Sequence, residues 1–162
     1  MYNFKIETYL KIIFLICLTS LISAFFIEHI LGHQPCNLCL IERVPYGLGI
    51  LLIIFNFTFS RNEQFVILLL TLVFTFSSII SFYHFGVEQG FFKESSICGL
   101  KNASDILTKE ELLKQLQTKP ISCKDVTFRI FGFSLTAINI TISLFLTILL
   151  TNIFAKYEKY KN

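Results

Sequence analysis

No charged side chain occurs from Ile12 to Ile27, from Val44 to Ser60, from Phe65 to Val87 or from Ile130 to Ala155. Runs of this kind leave a chain few choices. A helix needs about 20 mostly apolar residues to cross the roughly 30 Å hydrocarbon core of a bilayer, and its backbone polar groups must be satisfied internally. The third and fourth runs reach that length outright. The first reaches it if Lys11 and Glu28 extend outward at its ends, and the second if Arg43 does the same. With 54% hydrophobic residues, 19 Phe and only 15% charged residues in 162, a soluble domain has nowhere to hide the apolar bulk. Disorder fails on the same ground. Five Cys are too sparse for a small disulfide-stapled secreted fold. A net charge of +3, with no basic stripe, does not suggest nucleic acid. The expected fold is an all-α membrane protein. It is a single four-transmembrane-helix bundle in contact with the lipid bilayer, with spans at about 9–31, 43–60, 65–85 and 130–154.

The basic start, Lys5 and Lys11, followed by an apolar run also fits a cleaved signal peptide. No small-x-small cleavage site precedes Cys36, however, so the first run reads as an anchor. Four spans place both termini on one side and two loops, at about 32–42 and 86–129, on the other. Arg61-Asn62-Glu63-Gln64 forms the tight turn between spans two and three. Lys and Arg are divided between the two sides without a decisive bias. The C-terminal cluster Lys156, Lys159 and Lys161 favours a cytoplasmic tail. In the long loop, Thr108 and Glu111 have capping-box spacing ahead of Leu112, Leu113 and Leu116. This spacing predicts a short helix over about 108–117, resting on the protein or on the membrane surface.

The cysteines orient the chain better than the charges do. Cys36, Cys39, Cys98 and Cys123 all fall in the two loops that share one side, and only Cys17 lies within a span. Disulfides persist in oxidising compartments, so that side is expected to be extracytoplasmic. Cys17 reads as a small buried hydrophobe. The two loop pairs differ in kind. Cys36-Asn-Leu-Cys39 is a CxxC, the spacing of disulfide oxidoreductases. Such a loop is too tight to gain much from chain-entropy closure and is commonly reducible. Cys98 and Cys123 enclose 24 residues of the long loop, and Gly99 and Pro120 let the chain turn there. Two structural disulfides remain a competing reading. So does a zinc site on His29, His33, Cys36 and Cys39, spaced H-x3-H-x2-C-x2-C, although it leaves Cys98 and Cys123 without a role.

Arg43 follows Cys39 by four residues, which on a helical turn puts its guanidinium on the same face as the thiol. A cation there stabilises a thiolate; a snorkelling anchor is the plain alternative. Pro45 suits the first turn of span two, so Cys39 to Arg43 is expected as a separate turn ahead of it. His84 closes span three on the cysteine side, at the same expected depth as Arg43. It is either structural or the partner of a carbonyl held near Arg43. Glu88, one turn on, is a weaker candidate for the same place.

The stretch Gln34-Pro-Cys36-Asn-Leu-Cys39-Leu-Ile-Glu-Arg43 resembles the signature of the DsbB family of membrane thiol oxidases. The resemblance extends to Tyr83-His84-Phe85-Gly86-Val87-Glu88 and to the segment from Cys123 to Ser134 that leads into span four. Spans and pairs match in order, so nearly the whole chain is covered. Asn37-Leu38 departs from the commoner Pro- or Val-containing motif. The resemblance implies a relay in a bacterial inner membrane, with both termini cytoplasmic. A soluble DsbA-like thioredoxin-fold oxidant docks on the long loop and forms a mixed disulfide with Cys98. Cys123 passes the electrons to Cys36. Cys39, beside Arg43, donates to a quinone from the membrane pool, ubiquinone or menaquinone, with His84 near the ring. Oxidants of the DsbA kind lie near about −120 mV, beyond the reach of glutathione, whereas a lipid-soluble quinone takes two electrons. No metal is implied. The alternative from a different class is a membrane subunit without turnover, braced by zinc or by structural disulfides.

Overall fold

The computed structural model describes residues 2–59, 63–93, 98, 123–124, 129–130 and 132–161. Four long helices carry it: α1 (Tyr2–His29), α2 (Asn37–Phe59), α3 (Glu63–Glu88) and α4 (Leu135–Lys161). Each contains a stretch long and apolar enough to cross a membrane, at Ile6–His29, Asn37–Thr58, Glu63–Glu88 and Leu135–Lys156. The chain is an all-α membrane bundle, as the charge-free runs require. The expected helix at 108–117 and the turn residues Arg61 and Asn62 lie outside the described residues.

Helix α1 packs on α2, α2 on α3, and α3 most extensively on α4. The bundle has the outward-apolar surface a bilayer demands: Leu15, Leu51, Phe76 and Ile148 are each more than half exposed on its flanks. Ile13, Ile53, Ile67, Leu70, Phe74 and Leu146 fill the centre. Cys17 is buried and unpaired there. A Cβ at Gly49 would press on the Phe74 ring at 3.3 Å and approach Cys17 Sγ at 3.6 Å, so the missing side chain lets α1 and α3 close on α2.

Lipid offers helices no hydrophobic reason to associate, so packing and interhelical hydrogen bonds must serve. A polar seam supplies them among α2, α3 and α4. Tyr46 donates its hydroxyl to Asn139 Oδ1 at 2.6 Å and lies 3.2 Å from Ser143 Oγ. Ser143 in turn lies 3.1 Å from Ser77 Oγ. Asn139 Nδ2 donates to Ser81 Oγ at 2.8 Å, and Ser78 and Thr147 hydroxyls meet at 3.1 Å.

The helix ends set the site. Helix α2 begins at Asn37 and runs without a break through Pro45, whereas a separate turn was expected ahead of that proline. Pro45 merely withholds an N–H from the Ile41 carbonyl, a loss that membrane helices tolerate. Before α4 stands a small antiparallel hairpin instead of more helix: β1 (Arg129–Ile130) pairs with β2 (Phe133–Ser134). Gly132 takes φ +87° in its turn. Ser134 Oγ then accepts the N–H of Ala137 at 3.2 Å, a cap that starts α4 five residues later than the apolar run suggested.

Helix α3 ends in a complete Schellman motif. Gly90, at φ +81°, donates to the Val87 carbonyl at 3.1 Å, and Phe91 donates to the Gly86 carbonyl at 2.8 Å. This reversal lays the Phe92 ring on Gly86 and stacks it on Tyr83, with centroids 5.8 Å apart. The Tyr83 hydroxyl donates to the Lys93 carbonyl at 3.1 Å. A Cβ on Gly86 would stand 2.1 Å from the Phe92 ring. Gly86→Ala is therefore expected to expel the ring and cost about 1 kcal/mol, the worth of an aromatic pair. In a Phe92→Ala background the same change should cost almost nothing further. Thermal denaturation of the four purified proteins in detergent checks this.

Candidate functional site

Cys36 is the N-cap of α2. Its carbonyl accepts from the Leu40 N–H at 3.2 Å, and its sulfur accepts from the Cys39 N–H, also at 3.2 Å. A sulfur thus does what a Ser or Asp oxygen usually does at this position, at the positive end of the helix dipole. Cys39, on the first turn of the same helix, closes a disulfide with Cys36, with Cα atoms 5.1 Å apart. Cys98 and Cys123 form the second disulfide, with Cα atoms 5.5 Å apart.

The two pairs share one place. Cys36, Leu38, Val87, Cys98 and Cys123 form one buried cluster, with Cys39, Ile41 and Tyr83 packed against it. Cys98 and Cys123 are each only 4% exposed. The second pair is tucked against the first.

Helix α2 aims its two charged residues differently. Glu42 and Arg43 are neighbours in sequence, so they point about 100° apart around the helix. Glu42 is buried at 7% exposure and faces α3, where its Oε1 lies 3.0 Å from His84 Nδ1. The other nitrogen of that ring, Nε2, lies 3.5 Å from Cys36 Sγ. A line of contacts runs from carboxylate to imidazole to sulfur. Arg43 faces α1: its Nη1 donates to Glu28 Oε2, and its guanidinium lies 5.3 Å from the Phe25 ring centroid, a cation–π arrangement.

The sequence expectations for these residues thus meet a more specific arrangement. Arg43 stands one turn beyond Cys39 on the same helix, but its guanidinium is held by Glu28 because α1 supplies the carboxylate within reach. Glu28, read as an outward-reaching end of span one, is that partner. His84 is anchored between Glu42 and Cys36. Glu88 accepts a hydrogen bond from the Thr136 hydroxyl of α4. His29 is exposed, with Nδ1 at 3.2 Å from the Phe25 carbonyl. Among the described residues, the group close enough to share a metal ion is Cys36, Cys39 and His84, not the set containing His29 and His33.

These groups open onto a cavity of about 400 Å³, within the range of small-molecule sites. Leu21, Ala24 and Ile27 of α1 and Ile138 and Ile142 of α4 give it apolar lining, interspersed with Thr19, Ser20 and Ser23 of α1 and Thr136 and Asn139 of α4. Cys36, Cys39, Arg43, His84, Glu88 and Cys123 gather at its polar end. Sequence reasoning passed over Glu42. A carboxylate in the first turns of a membrane span is costly without a partner, and that signal was there to be used.

Comparison with known proteins adds a family. Residues 7–153 match the family described as disulfide bond formation protein DsbB. The chain is also 28% identical over 137 residues to an uncharacterized protein of Rickettsia prowazekii (strain Madrid E), covering 83% of this chain and 80% of that one. No solved structure shows significant similarity to it.

Proposed function

The chain belongs to the DsbB family of membrane disulfide-forming thiol oxidoreductases, and on that premise we propose that it re-oxidises a soluble thioredoxin-fold oxidant of the DsbA kind and passes the electrons to a membrane quinone. The observation that carries this reading is the meeting of both disulfides in one buried cluster at the polar end of an apolar cavity. A bracing role for both pairs gives no reason for that cavity.

In the relay, a thiolate of the reduced partner attacks Cys98, and the Cys98–Cys123 bond breaks to free Cys123. The partner's second thiol then attacks the mixed disulfide and leaves as the oxidised partner, with Cys98 reduced. Cys123 attacks Cys36, so the Cys36–Cys39 bond breaks and Cys39 leaves as a thiolate. Cys98 finally displaces Cys36 from Cys123, which restores the loop disulfide and leaves Cys36 and Cys39 as the dithiol. Two electrons and two protons have moved inward at each full passage. Exchange of this kind is fastest with an accessible attacking thiolate and a stabilised leaving one. The helix N-terminus favours charge on Cys36, and Arg43 supplies positive charge one turn from Cys39.

A quinone accepts two electrons and two protons from the dithiol and diffuses in lipid as the quinol. The residues present fit such a group. Leu21 and Ile27 of α1 and Ile138 and Ile142 of α4 offer apolar contacts for its ring and tail among the hydroxyls of Thr19, Ser20 and Ser23, and Arg43 offers hydrogen-bond donors for a ring carbonyl. Ubiquinone and menaquinone both satisfy this chemistry. The assignment places the cysteine end outside the cytoplasm, in a bacterial inner membrane, with both termini inside; the loop disulfides support that orientation.

The test is the ultraviolet absorbance of added ubiquinone or menaquinone, with purified protein in detergent and a reduced DsbA-like partner. Consumption of quinone in step with partner oxidation is expected. If the partner stays reduced and no quinone is consumed, the reading is overturned. Arg43→Met should raise the quinone concentration for half-maximal rate about 10- to 100-fold, as expected for losing a charge-assisted hydrogen bond, while Cys98–Cys123 still exchanges with the partner. An unchanged half-maximal concentration removes Arg43 from the quinone site.

A further inference from the structure

We propose that the reduced Cys36–Cys39 pair, together with His84 Nε2, forms a Cys2His binding site for a thiophilic divalent cation, Zn²⁺ foremost, that takes the dithiol out of electron transfer. The proposal rests on geometry and needs the relay reading only to say when the dithiol arises. The ligand atoms of Cys36, Cys39 and His84 all lie within 4.8 Å of one another. Tetrahedral zinc, with bonds of about 2.3 Å to sulfur and 2.0–2.1 Å to nitrogen, requires a sulfur–nitrogen separation of about 3.6 Å. Cys36 Sγ and His84 Nε2 are already 3.5 Å apart. The two sulfurs, once released from their bond, need to part to about 3.8 Å, which side-chain rotation on the first turn of α2 provides.

The surroundings complete the arrangement. A zinc-bound histidine usually gives its other nitrogen to a carboxylate, which fixes the ring; His84 Nδ1 has Glu42 Oε1 at 3.0 Å. The Cys39 N–H directed at Cys36 Sγ stabilises a metal-bound thiolate. The cavity that touches all three ligands gives the ion an entry and leaves the fourth coordination position to water. Binding transfers no electrons: Zn²⁺ displaces one proton from each thiol and forms two Zn–S bonds and one Zn–N bond. The disulfide, with its sulfur lone pairs uncharged, has no comparable affinity. The site therefore exists in one redox state only.

Co²⁺ serves as the spectroscopic probe. It is titrated into the full-length protein in detergent, reduced with a phosphine, and into the Cys98→Ser/Cys123→Ser variant in parallel. One equivalent should bind in both, with thiolate-to-cobalt charge transfer in the near ultraviolet and the visible bands of a tetrahedral site. The oxidised protein should give neither. His84→Gln should change the visible bands and weaken binding at least about tenfold. Glu42→Gln, which preserves the shape of the side chain, should weaken it about 10- to 100-fold. Zn²⁺ should displace the cobalt. Absence of charge-transfer bands in the reduced protein overturns the proposal, and so do bands that survive Cys36→Ser or are unaltered in His84→Gln. No quinone enters this titration, so its failure is distinct from a failure of the relay. Inhibition of quinone reduction by Zn²⁺, reversed by a chelator, would then connect the two.

Discussion

Cys39→Ser protein is expected to oxidise its partner once and then stop. The intact Cys98–Cys123 disulfide can still accept two electrons from one partner dithiol. Beyond that, the electrons have no exit, because a serine hydroxyl cannot form a disulfide with Cys36 or return to that state by reducing a quinone. Sustained quinone consumption should fall by at least about 1,000-fold, as when a covalent nucleophile is removed, while wild-type protein turns over many equivalents. The measurement is a stoichiometry: oxidised partner formed per protein, against quinone consumed. A value near one with no quinone lost places Cys39 on the only way out. Continued turnover would show that the electrons leave from another thiol and would remove Cys39 from the relay.

The second large effect is covalent and visible on a gel. In Cys123→Ser the thiol of Cys98 has lost its internal partner. Mixed with the oxidised form of the soluble oxidant, it should attack that disulfide and accumulate as a mixed disulfide, the exchange step run backward. A band at the summed mass, present without reductant and lost with it, is the expected result. Cys98→Ser should give little or none, since Cys123 faces the cavity and is the inward member of the pair. Equal adducts from both variants would undo the division of roles.

Much of this architecture was legible before any coordinates. Four charge-free runs specify four spans because unpaired backbone groups and charges are both costly in lipid. Placing Cys36, Cys39, Cys98 and Cys123 at one end needed only an even number of crossings between the loops. What could not be read was azimuth. Glu42 and Arg43 are adjacent, and nothing local to them says that one meets His84 on α3 and the other Glu28 on α1. Those contacts follow from which neighbour each face of α2 meets. The hairpin before α4 escaped for a different reason. Ile130–Ser134 continues the charge-free run of the helix after it, and Gly132 and the cap at Ser134 mark the boundary.

The seam of Tyr46, Ser77, Ser81, Asn139 and Ser143 has a consequence for how the fold is selected. Each such bond adds only about 0.6 kcal/mol within a membrane, so the seam is weak glue. Its force lies in the penalty for alternatives. Turning α4 by one residue, about 100°, would strand Asn139 and Ser143 against acyl chains and leave Tyr46 facing an apolar wall. The native rotation is thus chosen by making the others expensive, much as the wards of a lock reject keys without gripping the right one. Tyr46 and Asn139 also line the cavity that the sulfurs share, so the same phasing decides which residues of α4 reach that cavity.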